Sequence, residues 1–172
     1  MHVEEKLLPI NSASRSGIKL ELINYVVLHC SDISRLDVNI VIDSFKKLKY
    51  PDSNSASIHY IIGLNGEVVR IIPDDEIAYH SGNKLVNRKS IGIECIHENS
   101  TGSFSNATYN SLIELVADIC KRYNLNPLTD IKRHYDITGK NCPKYYIQNP
   151  LEFEKIKRDV QNKLISDYVK IS

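Results

Sequence analysis

The sequence predicts a single α/β domain, with α+β as the alternative arrangement of the same elements. Three observations carry that expectation. Short runs rich in Val, Ile, Leu and Tyr alternate with amphipathic stretches in the order β-α-β-β-β-α-α around a mixed sheet. An Asn65-Gly66 dipeptide joins two of those runs, the strongest short hairpin signal. The 172 residues, 42% hydrophobic and 25% charged, suffice for one core and are ordinary for a soluble globular domain.

In chain order, residues 1–19 read as an irregular lead-in containing Asn11-Ser12-Ala13-Ser14-Arg15-Ser16-Gly17. Residues 22–30 form an apolar run that predicts a buried strand. Over 37–48, Val38, Val41, Ile42, Phe45 and Leu48 recur at helical spacing, which predicts an amphipathic helix. Residues 51–57 are polar and turn-rich. The hairpin takes 58–63 and 67–72 as its strands, and 91–96 is a further strand. Ser105 or Asn106 can cap a long helix whose stripe is Leu112, Val116, Ile119 and Tyr123, and Asn124 to Pro127 ends it. A last helix starts near Pro150 and turns Phe153, Ile156, Val160 and Leu164 inward.

The formal net charge of +1 gives no argument for nucleic acid as a partner. No apolar run approaches the roughly 18 residues of a membrane span. The charged start, Met1-His2-Val3-Glu4-Glu5-Lys6, lacks the apolar stretch of a signal peptide, so synthesis in the cytoplasm is expected. Cys30, Cys95, Cys120 and Cys142 form no C-x-x-C pair. Three of them read as buried apolar thiols and Cys142 as a ligand.

The most informative segment runs from Arg133 to Pro143. It holds His134, Lys140 and Cys142 around Gly139, and His and Cys are ligands that zinc prefers. His29 ends an apolar strand and is the best third histidine, although its position alone favours a hydrogen-bonded core residue. Strand alternation turns Cys30 to the opposite face and leaves it as a core thiol. The same alternation puts Glu94 beside the small Gly92, away from Ile91, Ile93 and Cys95; a cleft carboxylate and a solvated one both fit.

The pieces Tyr25-Val26-Val27-Leu28-His29-Cys30-Ser31, Ser57-Ile58-His59-Tyr60-Ile61-Ile62, Ile77-Ala78-Tyr79-His80-Ser81-Gly82, Ser90-Ile91-Gly92-Ile93-Glu94 and His134 through Pro143 occur in one order. From about Asn11 to Val160 the chain thereby resembles the zinc-dependent N-acetylmuramoyl-L-alanine amidases of the type 2 family, which includes phage lysins, autolysins and peptidoglycan recognition proteins. The resemblance implies a central mixed sheet with helices on its faces. It implies Zn2+ held by His29, His134 and Cys142, with Glu94 as acid/base residue and Lys140 beside the metal to stabilise an oxyanion. It places His80 and Tyr79 on the substrate groove, and His59 either on the site or in the core. The position before His59 is Ile58 where some relatives carry a catalytic tyrosine, which shifts weight to Glu94. Tyr79 stands where relatives often have tryptophan.

The implied substrate is peptidoglycan, reached after release from the cytoplasm as for a phage or prophage lysin. The expected units are a lead-in over 1–19, a catalytic domain over 20–165 and a tail or linker over 166–172. A wall-binding module beyond this chain and a free-standing enzyme are both compatible with this reading. The rival functions are a non-catalytic peptidoglycan receptor on the same fold, and a wall peptidase with Cys142 or Cys30 as nucleophile.

Overall fold

A computed structural model describes residues 1–10, 13–48 and 55–169. Asn11 and Ser12 of the expected lead-in, and residues 51–54 of the expected polar turn, lie outside the described residues.

The described strands are β1 (Glu4–Glu5), β2 (Tyr25–Cys30), β3 (Tyr60–Ile62), β4 (Val68–Arg70), β5 (Ser90–Cys95) and β6 (Ile131–Arg133). They form one mixed sheet in the order β1-β4-β3-β5-β2-β6. Only β3 and β4 pair antiparallel; the other neighbours are parallel. The central strands are covered on both faces and read as near-continuous apolar runs for that reason. Gly66, at φ +82°, and the Gly63 amide donating to the Glu67 carbonyl at 2.9 Å close the hairpin where the Asn-Gly signal predicts it.

Helices α1 (Val38–Lys46), α3 (Asn106–Tyr123) and α7 (Pro150–Val169) are the long ones. Short helices α2 (Lys84–Asn87), α4 (Pro127–Asp130), α5 (His134–Thr138) and α6 (Lys144–Gln148) lie in the connections. Asp37 caps α1 through the Asn39 amide, and Ser105 caps α3 through the Thr108 amide. Asn124 ends α3 in the left-handed region at φ 53°.

Alternation along the strands divides the core in two. Val26, Leu28, Tyr60, Ile62, Ile91, Ile93 and Cys95 pack with α3 and with Phe153, Ile156 and Val160 of α7. On the other face, Ile61, Val69, Ile71 and Ile96 pack with Val38, Val41 and Ile42 of α1. The α/β arrangement of helices on both faces of a mixed sheet is therefore observed, and the α+β alternative is set aside.

The N-terminal residues are more ordered than an irregular lead-in. Glu4 and Glu5 pair with Val69 and Arg70, and the Leu8 amide donates to the Ile71 carbonyl. Leu8 is buried, and buried Arg15 clamps Glu76 with two hydrogen bonds of 2.7 and 2.8 Å. Helix α7 continues to Val169, so residues 166–169 are helical where a tail was expected. No helix among the described residues is long and apolar enough to cross a membrane.

Candidate functional site

The site stands at the carboxyl ends of β2 and β5, on the α1 face of the sheet. Pairing of β2 with β5 sets His29 opposite Glu94, and adjacent residues of a parallel pair share a face. Pairing of β2 with β6 sets Leu28 opposite Arg133, so the next residue, His134, starts α5 beside His29. The two imidazole rings lie 4.7 Å apart between centroids. Cys142, in the turn between α5 and α6, brings its sulfur to 3.9 Å from His29 Nδ1. One ligand atom from each of His29, His134 and Cys142 lies within 4.8 Å of the others, and all three residues are buried.

The hydrogen-bond network assigns the histidine tautomers. Ser90 Oγ donates to the Val86 carbonyl at 2.7 Å and so accepts from His80 Nε2 at 3.1 Å. His80 Nδ1 is then the acceptor for His29 Nε2 at 3.0 Å. That leaves the lone pair of His29 Nδ1 facing the Cys142 sulfur. His134 hydrogen-bonds the Ser81 backbone. Its Nδ1 is buried with no partner. A buried orphan nitrogen is costly unless something else satisfies it. Burial lowers the pKa of His29 and His80 well below the usual histidine value, helped by the neighbouring imidazoles. Burial and then Lys140 lower that of His134. Neutral imidazoles, one thiol and two Nδ1 lone pairs converging on one point form a donor set that fits a four-coordinate zinc with one position open.

Cys142 meets a backbone donor. Its sulfur accepts the Cys30 amide at 3.4 Å, at the end of β2 where the pairing with β6 has stopped. Cys30 is not the core thiol expected from alternation. It belongs to neither apolar cluster, whereas Cys95 and Cys120 do. Instead it lines the cleft and hydrogen-bonds the Cys142 thiol and the Lys144 backbone. The first of the two sulfurs to ionise is held low by the other's proton. The second is pushed up by that charge and by burial.

Glu94 is half-buried, lines the same cleft of about 280 Å³, and makes no side-chain hydrogen bond to any described residue. Burial, then the nearby Cys30 and Asp32, push its pKa up to about 8. Lys140 and Tyr79 also line the cleft, and Lys140 is exposed. A second groove, about 540 Å³ and shared at Tyr79, is lined by Ile18, Ile77, Lys84, Asn87 and Arg88.

His80 reaches the cleft edge, but both its ring nitrogens are engaged with His29 and Ser90. His59 sits in the core rather than on the groove. It is fully buried, one ring nitrogen meets the Glu76 carbonyl at 2.9 Å, and the other accepts the Gly92 amide at 3.0 Å. The support given to His29 by His80 and Ser90 was not foreseen. The available signal was Gly92, where a Cβ would meet His80 Cγ at 2.6 Å.

The family model described as N-acetylmuramoyl-L-alanine amidase matches residues 19–145. The amidase BlyA of Bacillus subtilis is 30% identical over 91% of this chain and 46% of its own length. The amidase CwlL of Bacillus licheniformis is 30% identical over 94% and 47%. The chain thus spans about half the length of the curated relatives it matches. Among solved structures, a mutant endolysin from Bacillus subtilis superposes with a TM-score of 0.75 at 25% identity, over 91% of this chain and 99% of that one. The catalytic domain of XlyA gives 0.72 at 26% identity over the same shares. With the family model covering most of its length, this chain belongs to the N-acetylmuramoyl-L-alanine amidase family, the type 2 amidases.

Proposed function

We propose that the chain hydrolyses the amide bond between N-acetylmuramic acid and the L-alanine of the stem peptide in bacterial peptidoglycan, with Zn2+ held by His29, His134 and Cys142. The observation that carries this reading is the convergence of three buried ligand atoms, one an orphaned nitrogen, beside a carboxylate with no side-chain hydrogen bond among the described residues. A zinc ion bound there supplies Lewis acidity toward the amide carbonyl and eases the ionisation of water.

The chain's own groups supply the rest. Glu94, one ladder rung from His29, takes the proton from the attacking water and returns it to the departing nitrogen. Lys140 faces the cleft and stabilises the oxyanion of the tetrahedral intermediate. Tyr79, between cleft and groove, offers an aromatic face to the substrate. His80 supports His29 rather than touching substrate. The catalytic unit is residues 20–165, extended by α7 to Val169 and braced by the N-terminal strand. A lysin-type role on the wall, after release from the cell that makes it, follows from the same reading, as does the use of a wall-binding module where one accompanies the domain.

A cysteine nucleophile explains less. Its thiol would need one histidine, whereas His134 Nδ1 would remain buried and unsatisfied. A receptor would have no use for the Glu94 carboxylate. The test is metal analysis of purified protein with release of new amino termini from isolated walls. About one zinc per chain and chelator-sensitive release are expected, and Glu94→Gln should keep the metal but lose the release. Release that persists in metal-stripped protein would overturn the reading.

A further inference from the structure

We propose that Cys30 and Cys142 form a thiol-oxidation site, in which a low-molecular-weight disulfide converts the pair to an intramolecular disulfide and removes the metal-ligating sulfur. The inference rests on the zinc reading, because only there does Cys142 have a second task.

The geometry comes from the end of β2. The Cys142 sulfur lies over the Cys30 backbone, 3.4 Å from its nitrogen and 3.9 Å from its oxygen. The Cys30 side chain lines the same cleft as Cys142. They are 112 residues apart in sequence, so the fold alone brings them together. The Cys30 thiol stands outside the cluster of mutually close ligand atoms, which contains His29, His134 and Cys142. It flanks the metal site without completing it. Both thiols are free and buried in the cleft wall, so the cleft is the side from which a small disulfide would approach. Cys95 and Cys120 are packed in the apolar core and have no such access.

The exchange is balanced with glutathione disulfide as the oxidant. One protein sulfur attacks the glutathione S–S bond, releasing one glutathione thiol and leaving a mixed disulfide. The second protein sulfur displaces the other glutathione and closes the Cys30–Cys142 bond. The two thiol protons pass to the two glutathione sulfurs, which are reduced as the protein sulfurs are oxidised. The sulfurs must approach to about 2.05 Å, and a sulfur so bonded is no longer a thiolate ligand. Zinc binding is then conditional on the reduced state of the pair.

The experiment takes the full chain, metal-stripped, through graded mixtures of reduced and oxidised glutathione, followed by alkylation and peptide mapping. Zinc uptake is measured on the same samples. The expected result is a peptide linking residues 30 and 142, with zinc affinity reduced by more than the roughly 10–100-fold that follows loss of an outer-shell partner. Reductant should restore both. Cys30→Ser should keep its zinc in the same oxidised mixtures. Mapping of the unsubstituted chain does not depend on how that variant folds. A glutathione adduct with no 30–142 link, or loss of zinc by Cys30→Ser in step with the unsubstituted chain, would overturn the inference. Reduced protein that takes up no zinc would overturn the metal reading as well. A missing cross-link in protein that does bind zinc overturns this inference alone.

Discussion

Replacing His80 by alanine should weaken zinc binding without removing a ligand. His29 Nε2 donates to His80 Nδ1 at 3.0 Å, and both rings are buried. Alanine leaves that N–H without an acceptor, a loss on the order of 1–3 kcal/mol for a buried donor. It also frees the ring to place its proton on Nδ1, the nitrogen that faces Cys142. Either escape is unfavourable to the ligand, and outer-shell losses of this kind weaken metal affinity roughly 10–100-fold. At about 1.4 kcal/mol per tenfold, that is some 1.4–2.8 kcal/mol, the scale of the single lost hydrogen bond. Competition with a chromophoric chelator at pH 7 reads the affinity, and a thermal melt checks folding. Ser90→Ala tests the same chain one step back. Without the Ser90 acceptor, His80 can move its proton to Nδ1 and set two donors against each other, so affinity should fall in the same direction by less. A folded His80→Ala protein that holds zinc as tightly as the unsubstituted chain would refute the argument. So would a Ser90→Ala effect larger than that of His80→Ala.

Lys140→Met should lower kcat for wall hydrolysis by roughly 10²–10³, the cost of losing one oxyanion donor, with zinc stoichiometry unchanged in metal analysis. Gly92→Ala should destabilise the fold by about 1–3 kcal/mol in urea, because its methyl would meet the His80 ring at 2.6 Å and Ile58 Cδ1 at 2.7 Å. The same substitution should weaken zinc through the displaced His80. His59 supplies a pH test. Burial lowers its pKa to about 4 in the fold, against about 6.5 in the unfolded chain, so the unfolded state binds the extra proton between those values. Its stabilisation is complete above pH 6.5 and is lost as pH falls toward 4, about 3 kcal/mol in total. Urea midpoints from pH 7 to pH 5 should therefore fall more steeply for the unsubstituted chain than for His59→Asn; parallel slopes would count against the assignment.

The parts of the fold legible in the sequence are those whose signal is local. The hairpin is carried by Asn65-Gly66 between apolar runs, and α3 by a serine cap, a continuous stripe and a left-handed asparagine at its end. What escaped has no local signal. Strand β1 is two exposed glutamates, which alone read as surface charge, and only pairing with Val69 and Arg70 makes them a strand. Strand β6 offers one fully buried side chain, Ile131, followed by Lys132 and Arg133. Its identity comes from lying beside β2, more than a hundred residues earlier. Helices α5 and α6 are five residues each, too short for a periodic stripe to identify.

The residue types of the proposed site could be read from residue chemistry and family motif, but their arrangement is a property of strand register. On one face of β5, Ser90, Gly92 and Glu94 follow at intervals of two. Ser90 accepts the His80 proton, Gly92 leaves room for the His80 ring, and Glu94 stands across from His29. Three functions therefore depend on one alignment of β5 with β2. A slip of one residue would turn all three to the opposite face, where Ile91, Ile93 and Cys95 pack against α3 and α7. The cost of burying a carboxylate and a hydroxyl in that core, and of exposing the isoleucines, opposes the slip strongly. Apolar packing on the far face thus positions the polar face. The same reasoning explains Cys30. Alternation correctly turns it away from His29, yet at the last residue of β2 there is no β6 residue beside it to fill the space. The turn carrying Cys142 enters there, takes the Cys30 amide, and lays the Cys142 sulfur against the Cys30 backbone.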